Sequence, residues 1–208
     1  MNTARSASVA LEQASPASHE AALVAELKAG SEEAFAYLLA VYQNPVHNLV
    51  SRIVDASEDA PDVLQNVFMK VFRGIKQFNG ESSLRSWIYR IAIHEASNHR
   101  RSWLRRKIQE TFSLNDDGVS TDAALARWSE HPETPYEVAE RSERHIILER
   151  ALASLAQPYR TVVVLREIED LTYEEIAQIL DVSQGTVKSR LMRGRELLKR
   201  KLQGCLGK

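Results

Sequence analysis

Apolar residues recur along most of this chain at helical spacing. Ser31 is a good N-cap, and from it Phe35, Leu38, Leu39, Tyr42, Val46, Leu49, Val50 and Ile53 follow the 3.6-residue period of an amphipathic helix that accommodates or bends at Pro45. A second helix is predicted to start near Asp59, with Pro61 in the first turn, where a missing N–H does no harm. Val63, Leu64, Val67, Phe68, Val71, Phe72 and Ile75 form its buried stripe, while Asp62, Gln65, Asn66, Lys70 and Arg73 look outward. For that polar face the pattern alone favours plain solvent exposure. A loop, Phe78 to Ser83, ends in a serine placed to cap a third helix from Leu84 to about Lys107. Leu84, Trp87, Ile88, Ile91 and Ala92 face inward there. Arg85, Arg90, His94, Asn98, Arg100, Arg101, Arg105, Arg106 and Lys107 crowd the outer face and end, and Trp87, Tyr89 and Trp103 lie among them as aromatics suited to stacking on unpaired bases.

The period is lost over residues 110–143, which are acidic and contain Pro132, Pro135 and Asp116-Asp117-Gly118. This reads as a linker with a short helical piece near Ala123 to Trp128. Order returns at about Arg144 with Ile146, Ile147, Ala151, Leu152 and Leu155 on one helix. Pro158 starts another, carrying Val162, Val163, Leu165 and Ile168.

The segment Thr172 to Arg195 is the most specific pattern. Thr172 and Glu175 stand three apart, as a reciprocal capping box requires. Ile176, Ala177, Ile179 and Leu180 then make an apolar face, Asp181-Val182 turns the chain, and Ser183 caps a second helix. Val187, Leu191 and Leu198 keep one stripe of that helix inward, while Gln184, Lys188, Ser189, Arg190, Arg193 and Arg195 line the other. Two capped helices around a tight corner, the second cationic, form a helix-turn-helix whose second helix is suited to the major groove. A lone basic face is usually just solvated; the coincidence of both caps, a small Ala177 and the cations favours DNA.

A formal net charge of -1 over 208 residues looks wrong for a DNA binder until the chain is divided. Residues 1–50 carry a net -3, 51–110 a net +4, 111–150 a net -5 and 151–208 a net +3. Two basic blocks therefore flank an acidic one, the footprint of two nucleic-acid-facing modules. Cys205 is the only cysteine, which rules out an internal disulfide and favours a reducing compartment. The N-terminal residues lack the apolar core of a signal peptide, and no segment approaches the roughly 20 apolar residues of a membrane span. A cytoplasmic protein without membrane insertion is expected. The six histidines lack metal-site spacing, so no metal and no cofactor are expected.

Several segments together resemble an extracytoplasmic-function sigma factor of bacterial RNA polymerase, of the group-four sigma family. Region two is matched by Asp59-Ala-Pro-Asp-Val-Leu-Gln-Asn-Val-Phe68, by Phe78-Asn-Gly80, and by Leu84-Arg-Ser-Trp-Ile-Tyr-Arg-Ile-Ala92 with Asn98-His-Arg-Arg101. Region four is matched by Leu155-Ala-Gln-Pro-Tyr-Arg160, Leu171-Thr-Tyr-Glu-Glu-Ile-Ala177 and Gly185-Thr-Val-Lys-Ser-Arg-Leu191. The resemblance implies an all-α protein of two small helical domains joined by a flexible acidic linker. Its expected division is a flexible tail (1–24), region two (25–108), the linker (109–143) and region four (144–208). It also implies three surfaces. Asp59, Asp62, Gln65, Asn66 and Arg73 would dock on the clamp of the polymerase's largest subunit, which revises the solvent reading of that face. Asn79, Gly80, Ser82, Ser83, Trp87, His94, Asn98, Arg100 and Arg101 would engage and open the minus-ten element, holding a flipped base. Ser183, Gln184, Thr186, Lys188, Ser189, Arg190 and Arg193 would read the minus-thirty-five element by base edges and shape.

Region four would also touch the flap of the second-largest subunit, and the linker would lie in the polymerase channel toward the RNA exit. An anti-sigma factor is the implied regulator; because the chain ends at Lys208, soon after region four, no regulatory extension is expected. Three positions depart from the family pattern: Pro61 and Asn66, where charged residues are usual, and Gly194, where Ala is usual and where glycine should cost roughly 1 kcal/mol of helix propensity. A stand-alone helix-turn-helix regulator is the alternative reading; it would bind a palindromic operator without polymerase. An enzyme is disfavoured because no carboxylate cluster, His–Cys constellation or phosphate-binding glycine loop occurs, so no catalytic residues are expected.

Overall fold

The computed structural model describes residues 16–54, 59–111 and 135–206. Among these residues there are eight α-helices and no strands. They are α1 (Pro16–Ala29), α2 (Glu32–Ile53), α3 (Ala60–Gly74), α4 (Leu84–Thr111), α5 (Pro135–Ala153), α6 (Gln157–Val163), α7 (Tyr173–Leu180) and α8 (Gln184–Leu206). A 3₁₀ turn, Ile75–Gln77, extends α3, and a π turn, Val164–Ile168, extends α6. None of the described helices is long and apolar enough to cross a membrane.

Four of the eight helix starts, those of α2, α4, α7 and α8, carry a side-chain cap. Ser31 accepts from the Ala34 N–H at 3.2 Å and α2 runs through Pro45 without ending. Pro61 sits in the first turn of α3. Ser83 Oγ accepts from the Ser86 N–H at 3.1 Å, and the Leu84 N–H donates to Glu20 Oε1 of α1 at 3.0 Å. A carboxylate at that end of α4 also complements the helix dipole. Arg160, buried at the start of α6, closes the preceding helix by donating to the carbonyls of Ala153 and Leu155.

Several expectations change. Residues 16–24, assigned to the flexible tail, belong to α1, whose Leu27 is buried and whose Leu23 and Val24 pack on the core. Residues 109–111 and 135–143, assigned to the linker, are helical, so α5 begins at Pro135 rather than near Arg144. The short helix expected near Ala123 to Trp128 lies outside the described residues. Phe72 is 59 % exposed instead of buried: α3 turns Ala60, Val63, Val67 and Val71 fully inward. Tyr89 is wholly buried instead of offered to solvent.

The buried side chains of α1–α4 and of α5–α8 form one continuous cluster. The two halves meet along α4 against α7, and along α2 against α5 and α6. Polar contacts bridge them as well, Arg52 Nε to Glu149 Oε1 at 2.9 Å being one.

Candidate nucleic-acid and polymerase interfaces

The helix-turn-helix is built as its sequence requires. The Glu175 N–H donates to Thr172 Oγ1 at 3.2 Å and the Thr172 N–H to Glu175 Oε2 at 2.8 Å, so both halves of the capping box are present. Asp181, at φ 52°, takes the left-handed turn that ends α7, and the Val182 N–H returns to the Ala177 carbonyl. An aspartate tolerates that conformation better than most side chains. Ser183 Oγ then accepts from the Thr186 N–H at 3.2 Å and sets the start of α8.

Buried Val187 and Leu191 fix the rotation of α8, which leaves Gln184, Lys188, Ser189 and Arg193 exposed on one side and Arg190 half-buried. Thr186, Ser189, Arg190 and Arg193 form one wall of a cleft of about 500 Å³; Ala156, Pro158 and Tyr159 form the other. Four of the expected minus-thirty-five residues are thus brought together, while Ser183 and Gln184 line a separate, shallower cleft with Glu174, Ala177 and Gln178. Arg195 is in neither: it is held by Glu167 Oε1 through Nε (2.9 Å) and Nη2 (2.6 Å) and braces α8 against the π turn. That pairing also holds the Arg195 guanidinium above its ordinary pKa. Met192, 64 % exposed among these cations, was not singled out in the sequence; a large apolar side chain between Lys188 and Arg193 is the signal that could have found it.

Gly194 has a packing reason. A Cβ there would lie 2.7 Å from Val163 Cγ2 and 3.3 Å from the Tyr159 carbonyl oxygen. Glycine is what lets α8 approach α6 this closely.

On α4 the expected minus-ten set divides. Trp87, His94, Asn98 and Arg101 stand 7, 4 and 3 residues apart, which keeps them on one stripe. His94 and Arg101 are exposed, and Asn98 hydrogen-bonds both: Nδ2 to His94 Nδ1 at 3.3 Å, and Oδ1 from Arg101 Nη2 at 2.6 Å. Trp87 is half-buried, its ring 5.3 Å from that of Phe78. The loop before α4 is shaped by Gly80 at φ 78° and by Asn79 Oδ1 accepting from the Glu81 N–H, with Ser82 and Ser83 leading into the helix. At about 1.5 Å per residue, His94 lies about 15 Å along the helix from Leu84, so loop and stripe form an extended surface instead of a single pocket. Arg100 is apart from them. It points to the other half of the chain, where Nη1 meets Gln157 Oε1 at 3.1 Å.

The third candidate surface is the outer face of α3. Asp62, Gln65, Asn66 and Arg73 are exposed, whereas Asp59 is half-buried with His99 Nε2 3.7 Å from its Oδ2. Met69 (44 % exposed) and Phe72 continue the same stripe, and Phe72 stacks obliquely on Phe35 of α2 with centroids 4.7 Å apart. Two large apolar side chains thus stand exposed in a row of polar ones. Among the described residues no cluster of three or more His, Cys, Asp or Glu could hold a metal.

Comparison with known proteins agrees with both halves. The family described as Sigma-70 region 2 matches residues 38–107, and Sigma-70, region 4 matches residues 145–198. The ECF RNA polymerase sigma-E factor of Haemophilus influenzae is 37% identical over 182 residues, spanning 88% of this chain and 94% of that protein. The protein of the same description from Escherichia coli strain K12 is 36% identical, spanning 87% and 93%. Among solved structures, the sigma factor RpoE in complex with the anti-sigma factor NepR from Bartonella quintana superposes with a TM-score of 0.63 at 21% identity, covering 81% of this chain and 96% of that one.

Proposed function

This chain belongs to the extracytoplasmic-function sigma factors of bacterial RNA polymerase, and we propose that its three surfaces divide the work of transcription initiation among themselves. As a sigma factor it is an initiation factor rather than an enzyme by family, acting in the cytoplasm where the polymerase is. The α3 face, Asp59, Asp62, Gln65, Asn66 and Arg73 together with Met69 and Phe72, docks on the clamp of the largest subunit. The Asn79–Ser83 loop and the Trp87, His94, Asn98 and Arg101 stripe of α4 engage the minus-ten element. Extruding a base costs a few kcal/mol, which stacking and phosphate contacts along such a stripe offset. On α8, Ser183, Gln184, Thr186, Lys188, Ser189, Arg190 and Arg193 read the minus-thirty-five element in the major groove, and Met192 offers an apolar contact of the kind a thymine methyl takes. α5–α8 touch the flap of the second-largest subunit, and an anti-sigma factor of the kind bound to the RpoE neighbour regulates the protein. The division of the chain into region two and region four rests on the same reading.

The observation that carries this reading is the exposed cationic face of α8, held by two capped helix starts, in the same chain as the mixed polar and apolar stripe of α3. The test is reconstituted transcription. Core polymerase plus this protein is expected to give transcripts from promoters mapped by start-site sequencing after overexpression, and core alone is not. Lys188→Ala with Arg193→Ala should abolish most of that transcription while the protein still co-elutes with core. Failure of the unaltered protein to bind core would overturn the proposal, and a footprint on a palindromic site without polymerase would favour the stand-alone regulator.

A further inference from the structure

α1 lies ahead of the residues matched to Sigma-70 region 2, yet it reaches both ends of the loop that leads into α4. Leu23, Val24 and Leu27 follow Glu20 at three, four and seven residues, so the carboxylate shares the face that packs on the core. Glu20 is half-buried, and its Oε1 accepts from the Leu84 N–H at 3.0 Å across 64 residues of sequence. Leu84 is the first residue of α4, and its side chain is wholly buried. At the other end of the loop, α1 packs against the 3₁₀ turn Ile75–Gln77. Ile75 is buried there, and its carbonyl accepts from the Phe78 N–H at 3.1 Å, where the loop begins. α1 is itself pinned to α2. The Gly30 N–H donates to the Leu27 carbonyl and the Ser31 N–H to the Glu26 carbonyl, both at 3.1 Å, and the His19 ring meets Tyr37 edge-on with centroids 6.2 Å apart.

We propose that α1 is a brace for the Asn79–Ser83 loop and that Glu20 is its positioning residue, fixing the point at which the loop passes into the Trp87, His94, Asn98 and Arg101 stripe. This rests on the reading of that loop and stripe as the minus-ten surface. Within the loop, Asn79 Oδ1 accepts from the Glu81 N–H at 3.3 Å, and Ser83 caps α4. Both bonds are local, and Glu20 supplies a tie from outside. The Leu84 N–H is one of the donors that a helix start leaves without an intrahelical partner. Without Glu20 it turns to water, the first turn of α4 loosens, and the loop samples more conformations. A surface that must hold an extruded base then has to be ordered at the moment of binding, and that ordering subtracts from binding and opening. Charge alone argues the other way. A carboxylate beside a phosphate-binding surface repels DNA, so removing a Glu20 without a positioning role would strengthen engagement. The two roles therefore predict opposite signs.

The test uses the full chain assembled with core polymerase on a promoter that carries 2-aminopurine in its minus-ten element, where fluorescence rises as the base leaves the stack. Glu20→Ala is expected to slow opening about tenfold, the scale of one hydrogen bond to a charged acceptor. Binding to core and to a minus-thirty-five duplex should stay unchanged. Glu20→Gln removes the charge but keeps an oxygen acceptor at the same reach, and should recover most of the rate; Glu20→Asp, a methylene shorter, should not. Hydrogen exchange of the free protein is read in parallel: in Glu20→Ala the amides of residues 79–84 should exchange faster, and those of Ile88 and Ala92 should not. Should Glu20→Ala fail to fold, Glu20→Asp decides. Opening by Glu20→Ala as fast as by the unaltered protein, or faster, overturns the proposal, as does an equal loss of minus-thirty-five binding. If exchange quickens as expected but the unaltered protein opens no promoter with core, the brace stands and the minus-ten reading falls.

Discussion

A tyrosine set between arginines reads, along the chain, as an aromatic offered to a base, and Tyr89 is instead the most enclosed aromatic of α4. The reason is Glu169, which lies 80 residues away in sequence and so leaves no trace in the local pattern. Caps behave oppositely. Ser31, Thr172 with Glu175, and Ser183 were all legible because a capping side chain bonds a backbone three residues on, and the sequence contains both partners. Gly194 falls between these cases. Its position inside α8 suggests a loss of about 1 kcal/mol relative to alanine, but propensity does not see Val163. Because Val163 is buried and a β-branched side chain has few rotamers to retreat into, the added methyl has no cheap escape. Gly194→Ala should therefore destabilise the protein by about 1–3 kcal/mol despite the better helix former. Urea unfolding measures this, and Val163→Ala in the same chain should recover part of the loss. A stabilised Gly194→Ala would mean that α6 and α8 are farther apart in solution.

Among elements, α2, α3, α4, α7 and α8 were legible because each has an apolar stripe and a recognisable start. α1 was not. Its alanines blur the contrast between faces, and only Leu27, with Leu23 and Val24, marks the buried side. The α3 stripe was read as broader than it is, since periodicity places Phe72 beside Val71 without saying which apolar residue faces a neighbouring helix. That misreading concealed a functional candidate. With most of its surface in water, Phe72 adds little to folding, whereas large aromatics dominate contact energies at interfaces. Phe72→Ser should thus leave the urea midpoint nearly unchanged and weaken binding to core polymerase by about tenfold, or about 1.4 kcal/mol. Fluorescence titration of labelled core checks it. Equal losses in stability and binding would place Phe72 in the core after all and remove it from the docking surface.

At the scale of the whole chain, the alternation of charge along the sequence was legible and correctly located two cationic helices, but the contact between the halves was not. Arg52 and Glu149 lie 97 residues apart on α2 and α5, and each looks in sequence like an ordinary surface charge. Their side chains are nonetheless only 18 % and 22 % exposed, so the pair is screened less than a surface ion pair and its loss should be felt. His145 Nε2, 3.8 Å from the same Glu149 oxygen, shares the carboxylate without replacing the guanidinium. Arg52→Glu sets two carboxylates against each other and Glu149→Arg sets two guanidiniums, and each variant should lower the urea midpoint of the full chain. The exchanged pair, Arg52→Glu with Glu149→Arg, restores opposite charges across the same gap and should recover most of that loss. The expected coupling is about 1 kcal/mol, within the range measured for side chains in direct contact. Recovery in the double variant would tie the loss to the contact between α2 and α5. A double variant as unstable as the singles would show that the two halves do not hold this register in solution.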